Sequence, residues 1–279
     1  MSSIRPSDVR AWVAALSVEL APSTVKATFL TFGQIMRNAE VDGLISRSPC
    51  IGVESPAETS HEEMRFLSVE QVAALAEAHE GRYQGAIFTA AYTGLRAGEL
   101  WALTLPRLNL LRRTVEVVES LSEIRGALVM GPTKTRTRRT VTLPAFLVEM
   151  IGEHIARYPS QSGHVFTSPG GGPVRHRNYM ARHFGAAVEA SGLPTGLRFH
   201  DLRHTCAAIL IAQGWNPKQV QERLGHASVK TSLDRYGHLF DGHDTELLGA
   251  STRWSGPRAC PIRVQPMSGN FLGEQKRPP

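Results

Sequence analysis

FHDLRHTCAAILIAQGWNPKQVQERLGHASVKTSLDRYGHL, residues 199–239, decides the fold. Its spacing predicts three short helices, over about 200–213, 217–224 and 231–238. Asn216 and Pro217 make a good cap and first residue for the middle one. His200 and Arg203 stand three apart and so project from one helix face. His226 follows Gly225 after the second helix, and Tyr236 lies in the third.

Outward from this stretch, helices are also predicted over about 144–157 and 176–190. Before them the apolar period changes from 3.6 to 2. TVEVVES, ALVMG and RRTVTLP read as three strands of one small antiparallel sheet, with KTRT as a basic turn. Further back, Ser68 caps VEQVAALAEAH, a second helix covers about 83–92, Gly94 breaks it, and a third runs from about 96 to 104. Residues 1–48 read as two helices. Ser7 caps one with Val9, Trp12, Val13 and Leu16 on a face, and Ser23 caps one carrying Val25, Phe29, Phe32, Ile35 and Met36 up to a stop at Gly43. Residues 49–64 read as a linker and 246–279 as a disordered tail rich in Pro, Gly, Ser and Arg. The expected fold class is mainly α with a small antiparallel β-sheet.

The 279 residues suffice for one large domain or two modest ones, and 42% hydrophobic residues is ordinary for a globular chain. No run approaches a membrane span, and no N-terminal signal pattern is present. Three widely spaced cysteines, Cys50, Cys206 and Cys260, suit a reducing cytoplasm. Residues 1–93 carry 7 Lys/Arg against 11 Asp/Glu, whereas 94–239 carry 19 against 10. That +9 block favours a polyanionic partner, nucleic acid first. Arg outnumbers Lys 26 to 5, which a GC-rich genome would also produce.

Arg96, in YTGLRAGEL, sits at a helix start, where anions are welcome. Its bland alternative is a surface arginine paired with Glu99. Two guanidinium forks, Arg96 and Arg203, with the His200 imidazole, suit one phosphate group. Tyr236 is a candidate nucleophile. A free phenol with pKa ~10 needs a base or a nearby cation, which Arg96, Arg203 and His200 could supply. A half-buried core tyrosine is the plain alternative, as a C-cap histidine is for His226. One sharper rival exists: His200 and His204 stand four apart, so HDLRH comes close to the HExxH zinc motif. The shorter Asp and the cation at Arg203 speak against a metallohydrolase.

TGLRAGEL, HDLRHT and LGHASVKTSLDRYGHL, in this order, resemble the tyrosine recombinase (lambda-type phage integrase) family over roughly residues 5–245. The resemblance implies a helical core-binding domain, here partial (1–48), and a catalytic domain over 65–245 that clamp DNA between them. It implies a site-specific recombinase that cuts and rejoins DNA through a 3′-phosphotyrosyl link at Tyr236, without cofactor, metal or ATP. Arg96, His200, Arg203 and His226 would then hold the scissile phosphate, with Glu99 in support. Lys134, on the hairpin turn GPTKTRTRR, would protonate the departing 5′ oxygen. Arg136, Arg138 and Arg139 beside it, with Lys26 and Arg37 on the second helix, would hold the DNA. Implied partners are double-stranded attachment sites, a homotetramer on DNA and accessory DNA-bending or directionality proteins, in a cytoplasmic, nucleoid-associated setting. Both flanks depart from the family. The sequence would begin within the core-binding domain, after the arm-binding domain such integrases usually carry, and STRWSGPRACPIRVQPMSGNF does not read as a packing helix. A truncated or inactive DNA-binding remnant is therefore the alternative.

Overall fold

The computed structural model of the chain describes residues 4–54 and 64–240. Most of the expected linker, the stretch 241–245 and the expected tail 246–279 lie outside the described residues. The chain divides into one unit up to Phe66 and another from Leu67.

In the first unit, α1 (Pro6–Glu19) and α2 (Pro22–Val41) each begin with proline, whose missing N–H costs nothing at that position. The expected caps Ser7 and Ser23 therefore fall inside the first turns. At the start of α1 it is the Arg5 N–H that donates to Asp8 Oδ2, at 2.9 Å. Val9, Val25 and Phe29 are buried, and the Trp12 and Phe32 rings meet at 5.0 Å. Ile35 stays 55% exposed.

The second unit opens with α3 (Val69–Glu77), capped by Ser68 Oγ accepting the Gln71 N–H. The buried α4 (Gly81–Thr93) follows and ends at Gly94, whose φ of +68° is the left-handed stop that only glycine adopts cheaply. A short α5 (Ala97–Trp101) comes next.

The expected single sheet is two. β1 (Leu108–Asn109), β2 (Thr114–Val117) and β5 (Arg139–Thr142) form one, with Val115 opposite Val141. β3 (Glu119–Ile124) and β4 (Ala127–Pro132) form a separate hairpin. TVEVVES therefore splits between sheets. Val115 and Val117 turn into the core, whereas Ile124 pairs with Ala127 across Arg125-Gly126. Both turn residues have positive φ, 50° and 78°, the two-residue turn that matches strand twist.

α6 (Ala145–Arg157) precedes a long helical run built from α7 (His176–Tyr179), one wide π turn (Met180–Phe184) and α8 (Gly185–Ala190). α9 (Asp201–Ala212), α10 (Pro217–Leu224) and α11 (Val229–Tyr236) close the unit. Asn216 Oδ1 caps α10 by accepting the Gln219 N–H at 2.9 Å. α4 packs on α9, α3 and α6, and the core includes Ile87, Leu100, Trp101, Leu147, Phe166, Tyr179 and Leu202. Each such buried side chain contributes ~1.5–3 kcal/mol. The α4–α9 centre is thus a rigid footing for groups at the ends of both helices.

Candidate active site

Helix ends build the site. α10 stops at Gly225, with φ of +68°, which leaves its last carbonyls without partners in the helix. Three guanidiniums satisfy them in turn. Arg139 Nε donates to Arg223 O at 3.2 Å, Arg203 Nη2 to Leu224 O at 2.6 Å, and Arg96 Nη2 to Gly225 O at 3.2 Å. Arg203 Nη1 also donates to Gly94 O, at the end of α4. The negative ends of two helices therefore help hold a cation that is 2% exposed. Burial, with Arg96 beside it, pushes Arg203 down to about 9, so it stays charged at neutral pH.

Glu99 is the counter-charge. Its carboxylate, 1% exposed, accepts Nη1 of Arg96 at 2.9 Å, the Arg96 N–H at 2.9 Å, and both Nη1 and Nη2 of Arg139, at 3.1 and 2.7 Å. Burial alone would raise its pKa. The guanidiniums of Arg139 and Arg96 more than offset that and hold it at about 2. The pairing of Arg96 with Glu99 is thus real, but it is half of a buried clamp and not a surface ion pair. Arg139, expected on the DNA backbone, lies inside the protein instead. Its side chain is 8% exposed and its fork is taken up by Glu99 and Arg223 O. Lys134, Arg136 and Arg138 do lie exposed, on the loop between β4 and β5. Arg136 holds the turn at φ 53°, its N–H donating to Thr133 O at 2.8 Å.

His200 stands at the exposed start of α9, and the His204 ring meets it edge-on at 4.9 Å. His226 is buried. Its Nδ1 is 2.8 Å from Ser232 Oγ, leaving Nε2 for the site, and its ring stacks on Tyr236 at 6.2 Å. Desolvation and the cations Arg203, Arg235 and Arg96 push His226 down to about 3. Partial desolvation, then His204 and Arg203, push His200 down to about 4. Tyr236 has no exposed surface, and its hydroxyl lies 2.9 Å from Nδ1 of His204. Burial raises the phenol's pKa, while Arg203, Arg235 and Arg96 pull it back.

The structure thus gathers Arg96, Glu99, Arg203, His226 and Tyr236, with His200 at the rim, and leaves Lys26 and Arg37 on α2 of the first unit. Sequence reasoning missed His204 as a partner of Tyr236, Ser232 as a partner of His226, and the α10 carbonyls as the arginine seat. The i, i+4 spacing of His200 and His204 was the available signal, and it suggested zinc instead. His204 Nδ1 is engaged with Tyr236, and among the described residues no group of three ligating side chains gathers for a metal.

A family model described as "Phage integrase family" matches residues 65–243. The chain belongs to the phage integrase family. Among its relatives, a putative prophage phiRv2 integrase of Mycobacterium tuberculosis is 29% identical over 253 residues, covering 88% of this chain and 66% of that protein. A XerC-like tyrosine recombinase of Caldanaerobacter subterraneus is 26% identical, over 81% of this chain and 64% of that one. The chain therefore spans just under two thirds of the length of these curated relatives. Among solved structures, the integrase of transposon Tn1549 in complex with a circular intermediate DNA shares the fold. Its TM-score is 0.77 at 22% identity, covering 90% of this chain and 86% of that one. A lambda integrase dimer bound to a core site matches with a TM-score of 0.63 at 19% identity, covering 86% and 65%.

Proposed function

We propose that this integrase is a site-specific DNA recombinase that cuts and rejoins strands through Tyr236. The observation that carries the reading is the convergence of Arg96 and Arg203 on the carbonyls that end α10, beside a buried Tyr236 whose ring stacks on His226 and whose phenol feels the charges of Arg203, Arg235 and Arg96. A guanidinium fork gives a phosphate fixed, charge-assisted hydrogen bonds, and such preorganised donors favour the charge built up in the transition state. The hydroxyl attacks the phosphorus, a 3′-phosphotyrosyl bond forms, and the 5′ oxygen leaves with a proton from Lys134. A 5′ hydroxyl of a second strand reverses the step. The two O–P bonds exchanged are alike, so ATP is not consumed. Because Tyr236 is fully buried in the free protein, DNA entry must shift α11 or the tyrosine itself.

Duplex DNA binds the +9 block, with Arg136 and Arg138 on the backbone beside Lys134. The first unit, with Lys26 and Arg37, closes on the duplex, and four protomers act in turn on two duplexes. The relatives' names and the DNA-bound integrases of the same fold support DNA as the partner. No helix among the described residues is long and apolar enough to cross a membrane.

The test uses nicked duplexes of randomised core sequence, from which a cleaved strand end diffuses away and traps the intermediate. The chain should retain a subset covalently after denaturation, and Tyr236→Phe should retain none. Failure of the unsubstituted chain to retain any would overturn the reading.

A further inference from the structure

We infer that Arg139 is a positioning residue of this site: by holding the Glu99 carboxylate, it keeps the Arg96 guanidinium free, and positive enough, to grip the scissile phosphate. The inference rests on the strand-transfer reading above. It gives a task to a cation that lies inside the protein rather than on the DNA.

Its first support is the way Glu99 is shared. Arg139 brings a full fork to that carboxylate, Nη1 to Oε1 at 3.1 Å and Nη2 to Oε2 at 2.7 Å. Arg96 gives it a single side-chain contact, Nη1 to Oε1 at 2.9 Å, and its backbone N–H to Oε2. A guanidinium and a carboxylate fit each other best as a bidentate pair. Arg139 occupies that place, so Arg96 keeps its other side-chain N–H groups clear of Glu99, and one of them donates to Gly225 O. Exposure separates the two cations. The Arg96 side chain is 21% exposed and that of Arg139 8%, so Arg96 is the one a phosphate reaches and Arg139 the one behind it.

The second support is charge. Glu99 is held at about 2 and is ionised at neutral pH, so Arg96 and Glu99 by themselves would cancel. The Arg139 guanidinium leaves one positive charge over. Little water screens it there, and a phosphate that builds up charge in the transition state draws on it.

Packing supplies the third. Arg139 lies directly against Gly225, where a Cβ would come within 3.0 Å of Nη1 and 3.2 Å of Cδ and Cζ. Its Nε donates to Arg223 O at 3.2 Å. One side chain on β5 thus ties the end of α10, just before His226, to α5, whose N-cap is Arg96. None of these groups belongs to α11, so the clamp does not depend on where that helix stands when DNA enters.

The experiment uses the full chain, at saturating concentration, on a nicked duplex retained in the selection above, so that the rate of covalent capture is read apart from binding. Arg139→Met keeps much of the side-chain volume and removes the charge. Glu99 then pairs with Arg96 alone, and capture should slow by about 10²-fold. Glu99→Gln added to that variant withdraws the competing carboxylate, and Glu99→Gln/Arg139→Met should capture at least about tenfold faster than Arg139→Met. A second substitution that restores rate is foreign to a merely structural role. A loss below about tenfold in Arg139→Met, or a recovery below about tenfold in the double variant, overturns the inference. If Arg139→Met fails to fold, the double variant, which buries no unpaired charge, is set against Glu99→Gln. The two should capture within about fivefold of each other, and a larger loss on removing Arg139 overturns the inference, because Arg139 would then act other than through Glu99. No capture by the unsubstituted chain would instead sink the recombinase reading itself.

Discussion

Arg139 shows at the residue scale how a charge can be misread. In GPTKTRTRR it is one of four cations in a row, and nothing in that string separates it from Arg136 and Arg138. The alternation along β5 does: Arg139 and Val141 are the more buried positions and Thr140 and Thr142 the exposed ones. Facing inward, Arg139 meets Glu99, and one carboxylate holds two guanidiniums in place. Removing it leaves a buried carboxylate short of a partner, so Arg139→Ala should cost about 3 kcal/mol, read from urea unfolding. The salt dependence of DNA binding distinguishes the roles. Arg136→Ala and Arg138→Ala should each lower the slope of log affinity against log salt by about 1, and Arg139→Ala should leave it unchanged. An equal drop for all three would place Arg139 on the DNA after all.

At the scale of elements, two glycines end helices that point at the same arginine. A Cβ at Gly94 would strike Leu224 Cδ2 and come within 3.2 Å of Cys206 Sγ, at a φ of +68°. Gly43, at φ +71°, ends α2 in open space. Gly94→Ala should therefore cost about 2–4 kcal/mol, against about 1 kcal/mol for Gly43→Ala, in thermal or urea unfolding. Similar losses would mean that backbone conformation alone sets the cost. The eight-residue α11 is too short to stand by itself and buries only Ser232 and Tyr236. The helix that carries the proposed nucleophile is thus held largely by that tyrosine and by the His226–Ser232 bond, which suits an element that must yield to DNA.

Across the whole molecule, the buried histidines and Glu99 set how stability depends on pH. His204 and His226 have folded values of about 4 and 3, below the ~6.5 of an unfolded histidine. The unfolded chain therefore binds more protons, and stability falls as pH drops below about 6.5. Each histidine should withdraw on the order of 1 kcal/mol by pH 5. Glu99, held at about 2, adds stability present above about 4.5 and lost as pH falls toward 2. The urea midpoint should accordingly decline from pH 7 to pH 5 and more steeply below pH 4.5. A flat profile from 7 to 5 would mean that both rings are protonated in the folded state.

Helix spacing, the Asn216-Pro217 start, the glycine stops and the order of Arg96, His200, Arg203, His226 and Tyr236 were readable in the chain, because each depends on residues a few positions apart. The element list, most element ends and the family likeness were therefore fixed by local pattern. Three outcomes came from packing in space: TVEVVES serves two sheets, Arg139 faces Glu99 rather than solvent, and the Tyr236 hydroxyl meets His204. The last two join residues 40 and 32 positions apart, and the arginine seat joins residues up to 129 apart. Burial selects such pairs: once water is excluded, each carbonyl, carboxylate and hydroxyl must find its partner in space.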